Sequence, residues 1–226
     1  MNKKDNIVLI GASSEICQEF IKLIGDKQNI YKISTCNPCE ENNYLHVKDY
    51  RDSLEDIISF ILKIDKPYIF FFNGYIAENR PNQNPDIIEI DNTIKINFLV
   101  PFAITHSLLA IEKDVKKYIY ISSFAAVKLR YKNFIYGQSK LFLEQYVKNS
   151  SIDNFLIIRF GKVNTSMSSD HKKTVFDMSK VKAANILEKY YKKKNGIIYP
   201  TTLIKVLSIA INILPSKILK VLKIWI

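Results

Sequence analysis

Asn6-Ile7-Val8-Leu9-Ile10-Gly11-Ala12-Ser13-Ser14-Glu15-Ile16-Cys17 is the stretch on which the fold turns. Its first five residues form an apolar, branched run of the kind buried on both faces of a parallel sheet. Gly11 follows, where the chain must turn sharply. Phe20, Leu23 and Ile24 then recur at helical spacing. Strand, tight turn and helix make a phosphate-binding start: the helix N-terminus offers free amides and a positive dipole, and Ser13 and Ser14 offer hydroxyls.

Outward from this start, apolar runs at 6–10, 29–34, 44–47, 67–72, 117–122, 154–160 and 196–199 read as buried strands, with helical patterns between them. Alternation of this kind predicts an α/β fold with a single doubly wound parallel sheet of about seven strands, helices on both faces and ligands beyond the strands' carboxyl ends. Gly11, Asn73, Ser123 and Gly161 all follow strands at that edge, so topology gathers them. At 226 residues, 47% of them apolar, the chain is one domain by length.

Tyr136-Gly137-Gln138-Ser139-Lys140 supplies the chemistry. Residues four apart share a helix face, so the Lys140 ammonium stands beside the Tyr136 hydroxyl and favours its phenolate. A phenol near pKa ~10 is a poor acid-base catalyst at neutral pH, and a fixed cation brings it into range. Ser123, at the end of the run Tyr118-Ile119-Tyr120-Ile121, adds a hydroxyl beside the same oxygen. By itself a Tyr-x-x-x-Lys pair more often marks a solvated helix face.

With these residues in place the chain resembles the short-chain dehydrogenase/reductase family over residues 5 to about 200. Of the family's Thr-Gly-x-x-x-Gly-x-Gly turn only Gly11 remains, with Glu15 and Cys17 at the other glycine positions; a Ser-Glu-Ile turn is similar to that of lipid-linked sugar reductases. Glu15 would repel a pyrophosphate unless its side chain points to solvent. Phe70-Phe71-Phe72-Asn73-Gly74 resembles the fourth strand and its Asn-Asn-Ala-Gly turn. Arg159-Phe160-Gly161-Lys162-Val163-Asn164-Thr165 resembles the Arg-Pro-Gly-x-Val-x-Thr stretch that cradles nicotinamide.

The resemblance implies an enzyme in which Asn97, Ser123, Tyr136 and Lys140 are catalytic: Tyr136 moves the proton, Ser123 positions the substrate oxygen, Lys140 lowers the tyrosine pKa and holds the nicotinamide ribose, and Asn97 orders a water on the proton path. For the cofactor it implies Gly11, Ser13, Ser14, Ile16, Thr35, Asp49, Asn73, Gly74, Tyr136, Lys140, Val163 and Thr165, with Asp49 capping the adenine pocket. No Asp or Glu ends the second strand to take the ribose diol of NAD. Ser34, Thr35 and Asn37 can instead hydrogen-bond a 2'-phosphate, so NADP(H) is preferred over NAD(H). Between Thr165 and Val181, where relatives build a substrate lid, the chain is short and polar.

Lys and Arg outnumber Asp and Glu, 33 against 22, for a net charge of +11. The lysines are scattered and no nucleic-acid motif accompanies them, so no nucleic-acid partner is expected and most read as solvated. Phosphorylated substrates or an anionic membrane suit the charge equally. The spacing of Cys36-Asn37-Pro38-Cys39 lacks a second pair and reads as a reduced loop, and the three histidines share no ligand spacing; no metal is expected. The N-terminus carries no signal peptide, and a cytoplasmic protein is expected, placed at the inner face of the membrane if the tail docks there.

That tail, 201–226 after a Rossmann domain of 1–200, is amphipathic and basic. Lys205, Ser208 and Asn212 align as a polar strip, Pro215 breaks the helix, and Lys217, Lys220, Lys223 and Trp225 follow. About 20 uninterrupted apolar residues are needed to span a bilayer, and the tail has none such. It fits either a membrane surface or a second subunit of a homo-oligomer. The expected function is ketone/alcohol interconversion by hydride transfer, on a nucleotide- or lipid-linked sugar of surface polysaccharide synthesis. An epimerase or dehydratase of the same fold is the first rival, against which stands the lack of a larger C-terminal substrate domain. A cofactor sensor without turnover is the second, supported by the reduced glycine pattern alone.

Overall fold

A computed structural model describes residues 3–36, 42–77, 85–128, 133–168, 177–215 and 218. Seven strands lie where the apolar runs predict them, to within one residue at each end: β1 (Asn6–Ile10), β2 (Asn29–Ser34), β3 (Tyr44–His46), β4 (Tyr68–Phe71), β5 (Lys117–Ser123), β6 (Phe155–Phe160) and β9 (Gly196–Ile198). They form one parallel sheet in the order β3-β2-β1-β4-β5-β6-β9. The order reverses direction between β1 and β4, which opens a crevice at the carboxyl edge.

Successive strand residues face opposite layers, so the core is double. Ile7, Leu9, Phe70, Ile119 and Ile158 pack with Cys17, Phe20 and Ile24 of α1 (Glu15–Ile24) and with Ala183, Ala184 and Leu187 of α6 (Lys180–Tyr190). On the other face Val8, Ile10, Phe71 and Tyr120 meet Ile57 and Ile61 of α2 (Leu54–Leu62), Ile104 and Leu108 of α4 (Val100–Ala110), and Leu143 and Val147 of α5 (Phe134–Asn149). Phe71 and Tyr120, partners in register, stack at 4.8 Å.

Before α4 runs α3 (Ile87–Ile94), opened by a capping box between Asp86 and Glu89. A π turn, Lys95–Leu99, joins the two. Its cause is legible: Pro101 has no N–H to donate, and the Val100 amide bonds the carbonyl of Lys95 five residues back. The whole of Ile87–Ala110 is long and apolar enough to cross a bilayer, but its Val100, Ile104 and Leu108 belong to the core.

Several expectations change. Beside the short, polar segment after Thr165 the structure adds a pairing the apolar runs do not predict: β7 (Val163–Asn164) with β8 (Met178–Ser179). Lys117 departs from the expectation that most lysines are solvated: it is the buried first residue of β5, its ammonium donating to the carbonyls of Lys192 and Lys194 at 3.2 and 3.1 Å. The polar strip of the tail helix α7 (Thr202–Ile213) also fails. Ser208 is fully buried and donates to the Ile204 carbonyl, whereas Leu203, Val206, Ile209 and Ile213 are exposed. Packing against Val127 and the Lys128 ammonium, which bonds the carbonyls of Ile211 and Leu214, selects the inward face. Asn37, Cys39, His171, Lys217, Lys220, Lys223 and Trp225 lie outside the described residues.

Candidate active site

Gly11 has φ +82°, which favours glycine, and a Cβ there would stand 2.5 Å from the Asn73 amide nitrogen. Its own amide and that of Ala12 bond the Ile33 carbonyl, fastening the turn to β2. Ser14 caps α1 without using its hydroxyl, and Ser13 is exposed, so both remain at the helix start; Ile16 is half-buried. Asn73 donates to the Ile96 carbonyl in the π turn, and its buried Oδ1 has no partner among the described residues. The cradle and this orphaned oxygen, both at the switch point, fit a dinucleotide there.

Glu15 is only partly turned to solvent and is held by two partners at the surface. Its carboxylate accepts from the Ser166 amide at 2.6 Å and from the Lys180 ammonium at 3.0 Å. The backbone bond from Ser166, then Lys180, holds its pKa down to about 2. The side chain therefore links the turn after β1 to the segment after β7, where Thr165 and the short helical turn Ser166–Ser168 lie.

At the end of β2, Ser34 is buried and its hydroxyl accepts from the Cys36 amide, which leaves Thr35, half-buried and bonded to Tyr50, as the described residue closest to the role assigned to that loop. Asp49 is engaged: burial raises its pKa, but Lys95 at 2.7 Å and the Arg51 amide at 2.8 Å lower it to a net value below the ordinary one. Gly74 faces Asn97, its missing Cβ 3.7 Å from Oδ1.

Asn97 is fully buried inside the π turn rather than on a regular helix. Its amide donates to the carbonyls of Tyr75 at 2.6 Å and Thr93 at 2.9 Å, and its oxygen accepts from the Tyr75 amide at 3.1 Å. Ser123 ends β5 opposite Phe160 in register, and its hydroxyl accepts from the Ala125 amide at 3.1 Å. Helix α5 is pressed onto that turn: a Cβ on Gly137 would lie 2.8 Å from the Ala125 carbonyl oxygen. This contact sets Tyr136, half-buried, beside the Ser123 segment. Lys140 is buried one turn further, its ammonium 6.0 Å from the Tyr136 ring centroid. Burial pushes its pKa down to about 8, against the opposing charge of Glu144.

Glu144 and Arg159 are buried charges whose partnership the sequence reading does not assign. Position was the available signal, since Glu144 follows Tyr136 and Lys140 at four-residue intervals on one face. Lys180 as partner of Glu15 carries no such signal. Among the described residues no group of His, Cys, Asp and Glu could hold a metal.

No family model matches the sequence, and neither does any curated protein sequence. Solved structures do. A short-chain dehydrogenase from Burkholderia cenocepacia in complex with NADP is similar at TM-score 0.76 and 10% identity, over 94% of this chain and 99% of that one. An alcohol dehydrogenase from Thermococcus sibiricus complexed with 5-hydroxy-NADP gives 0.69 and 16%, over 87% and 96%. The aldohexose dehydrogenase of Thermoplasma acidophilum gives 0.66 and 14%, over 87% and 92%. With its strand order, switch-point crevice and near-complete mutual coverage, the chain has the short-chain dehydrogenase fold.

Proposed function

We propose that this chain is an NAD(P)-dependent oxidoreductase interconverting a ketone and an alcohol. The observation that carries the proposal is the packing of α5 on the Ser123 turn through Gly137, with Lys140 buried on the Tyr136 face. The Gly11 turn, Asn73, Gly74, Val163 and Thr165 would hold the nicotinamide cofactor, which would supply hydride in reduction and take it up in oxidation. Tyr136 gives its phenolic proton to the substrate oxygen in reduction or removes it in oxidation. Ser123 donates a hydrogen bond to that oxygen and Lys140 favours the phenolate. Asn97 keeps the carbonyls of Tyr75 and Thr93 fixed beside the path by which water resupplies the proton. NADP(H) is preferred, because β2 ends without a carboxylate.

The substrate is of sugar type, nucleotide- or lipid-linked, in surface polysaccharide synthesis. Support comes from the Ser-Glu-Ile turn, the basic tail and the similarity to an aldohexose dehydrogenase. The tail, 201–226, docks on the inner face of the membrane; the apolar outer face of α7, made by Leu203, Val206, Ile209 and Ile213, supports this.

Two measurements test the reading. NADPH oxidation is followed over a panel of keto-sugars, free and nucleotide-linked, with NADPH affinity measured by fluorescence. Tyr136→Phe is expected to keep that affinity and to lose roughly a hundred- to ten-thousand-fold in turnover; a phenylalanine variant that turns over normally ends the mechanism. Val206→Glu with Ile213→Glu is expected to abolish binding to anionic liposomes. If the wild type ignores such vesicles, the membrane part fails alone.

A further inference from the structure

Fully buried ionic groups are uncommon, and those behind Lys140 take no part in the proposed proton transfer. Glu144 stands one helical turn beyond Lys140, as Lys140 stands one turn beyond Tyr136, so the three share a face of α5. Its carboxylate is engaged from two strands: Ser122 Oγ donates at 2.5 Å, Arg159 Nε donates to both oxygens at 3.0 Å, and Arg159 Nη2 completes the fork. Arg159 Nη1 in turn donates to the Tyr199 hydroxyl at 2.8 Å. Four separate segments thus meet at a point one residue from Ser123 and one turn from Lys140.

We propose that Glu144, clamped by Arg159 on the face of α5 that carries Lys140, is a positioning residue through which Lys140 stays charged at working pH. This rests on the reading of the chain as an NAD(P)-dependent enzyme. A buried ammonium sheds its proton readily, and Lys140 is 4% exposed. An anion one turn away is what opposes that loss. The other elements packed against α5 offer little in its stead. The π turn gives uncharged Asn97 and turns Lys95 to Asp49. The end of β5 gives Ser122 and Ser123, with the Tyr120 hydroxyl bonded to Thr105. On α4, His106 stacks on Phe102. On α3, Glu89 caps its own helix and Asp91 is exposed. A monodentate, mobile carboxylate would serve poorly; the fork from Arg159 gives this one a single orientation.

The test is NADPH titration of the full-length protein between pH 6 and 10 at fixed ionic strength, followed by fluorescence. Wild-type affinity is expected to weaken as pH rises through about 8, as Lys140 loses its charge. Glu144→Gln is expected to move that midpoint down by at least about half a pH unit, and Glu144→Asp to leave it near the wild-type value. Tyr199→Phe, which loosens the cluster without changing its charge, is expected to leave the midpoint alone. If Glu144→Gln does not fold, Glu144→Gln with Arg159→Met removes both charges together and is expected to lower the midpoint too. A folded variant lacking the Glu144 charge but keeping the wild-type midpoint overturns the proposal while the oxidoreductase reading stands. A wild type that binds NADPH at no pH overturns both.

Discussion

On the β5–α5 side of the crevice, charge is buried: the paired side chains of Arg159 and Glu144 are 11% and 2% exposed, and Lys140 lies beside them. Across from it, on the β1–α1 side, charge lies at the surface, the pair of Lys180 and Glu15 being 41% and 33% exposed. Under the proposed function the contrast separates two tasks. Groups that move a proton need fixed mutual geometry, and a buried bidentate pair gives it because any other arrangement strands a charge out of water. Groups around an incoming anionic cofactor need to yield, and a solvated pair is weak enough to be displaced.

Breaking the buried side is expected to have the largest effect. Arg159→Met leaves Glu144 without its cation and should cost about 3–5 kcal/mol, read from urea unfolding; a loss under about 1 kcal/mol would mean the cluster is wetter than described. Gly11→Ala comes next, combining a positive φ with a Cβ on the Asn73 amide. Roughly 2–3 kcal/mol is expected, along with loss of NADPH binding measured by fluorescence. Third is Gly137→Ala, which pushes α5 off the Ala125 carbonyl. About 1–3 kcal/mol of overpacking is expected, with turnover falling further than cofactor affinity because Tyr136 shifts.

The smallest effect sharpens the contrast from the exposed side. Glu15 has its pKa lowered to about 2 from 4.5. A depressed carboxylate stabilises the fold above its unfolded pKa, and that contribution disappears as pH falls from about 4.5 toward 2. Glu15→Gln should therefore cost under about 1 kcal/mol near neutrality and flatten the acid limb of a melting-temperature profile taken from pH 6 to 2. Added salt should shrink the difference. An unchanged limb would show that the Glu15 pair contributes nothing in solution.

What the sequence could and could not disclose follows the same division. Buried strands announce themselves because both faces are apolar, and Asn6–Ile10 or Phe155–Phe160 leaves little choice. That Tyr136 and Lys140 share a helix face follows from their spacing, whereas the burial of Lys140 does not. The π turn was hidden, since it depends on which carbonyl the Val100 amide finds once Pro101 withholds a donor. Two-residue strands such as Val163–Asn164 are too short for any period. Lys117, Glu144 and Ser208 were misjudged or passed over for one reason: composition assigns polar side chains to solvent, and only tertiary partners show the exceptions. Glu15 belongs with them, its direction set by Ser166, 151 residues away.

The sheet order also bears on how the chain is made. The first of the described strands is not an edge: β1 is flanked by β2 and β4. As the nascent chain emerges, β2 and β3 add to one side in turn, while the other side of β1 waits for Tyr68–Phe71. Throughout that interval Ile7, Val8, Leu9 and Ile10, all fully buried at the end, line a half-paired strand with an open hydrogen-bonding edge. From β4 onward each strand arrives in chain order against a finished neighbour. Chaperone protection of β1 is therefore needed until Phe71 leaves the ribosome, and each later strand of the sheet keeps an open edge of its own until the next one arrives.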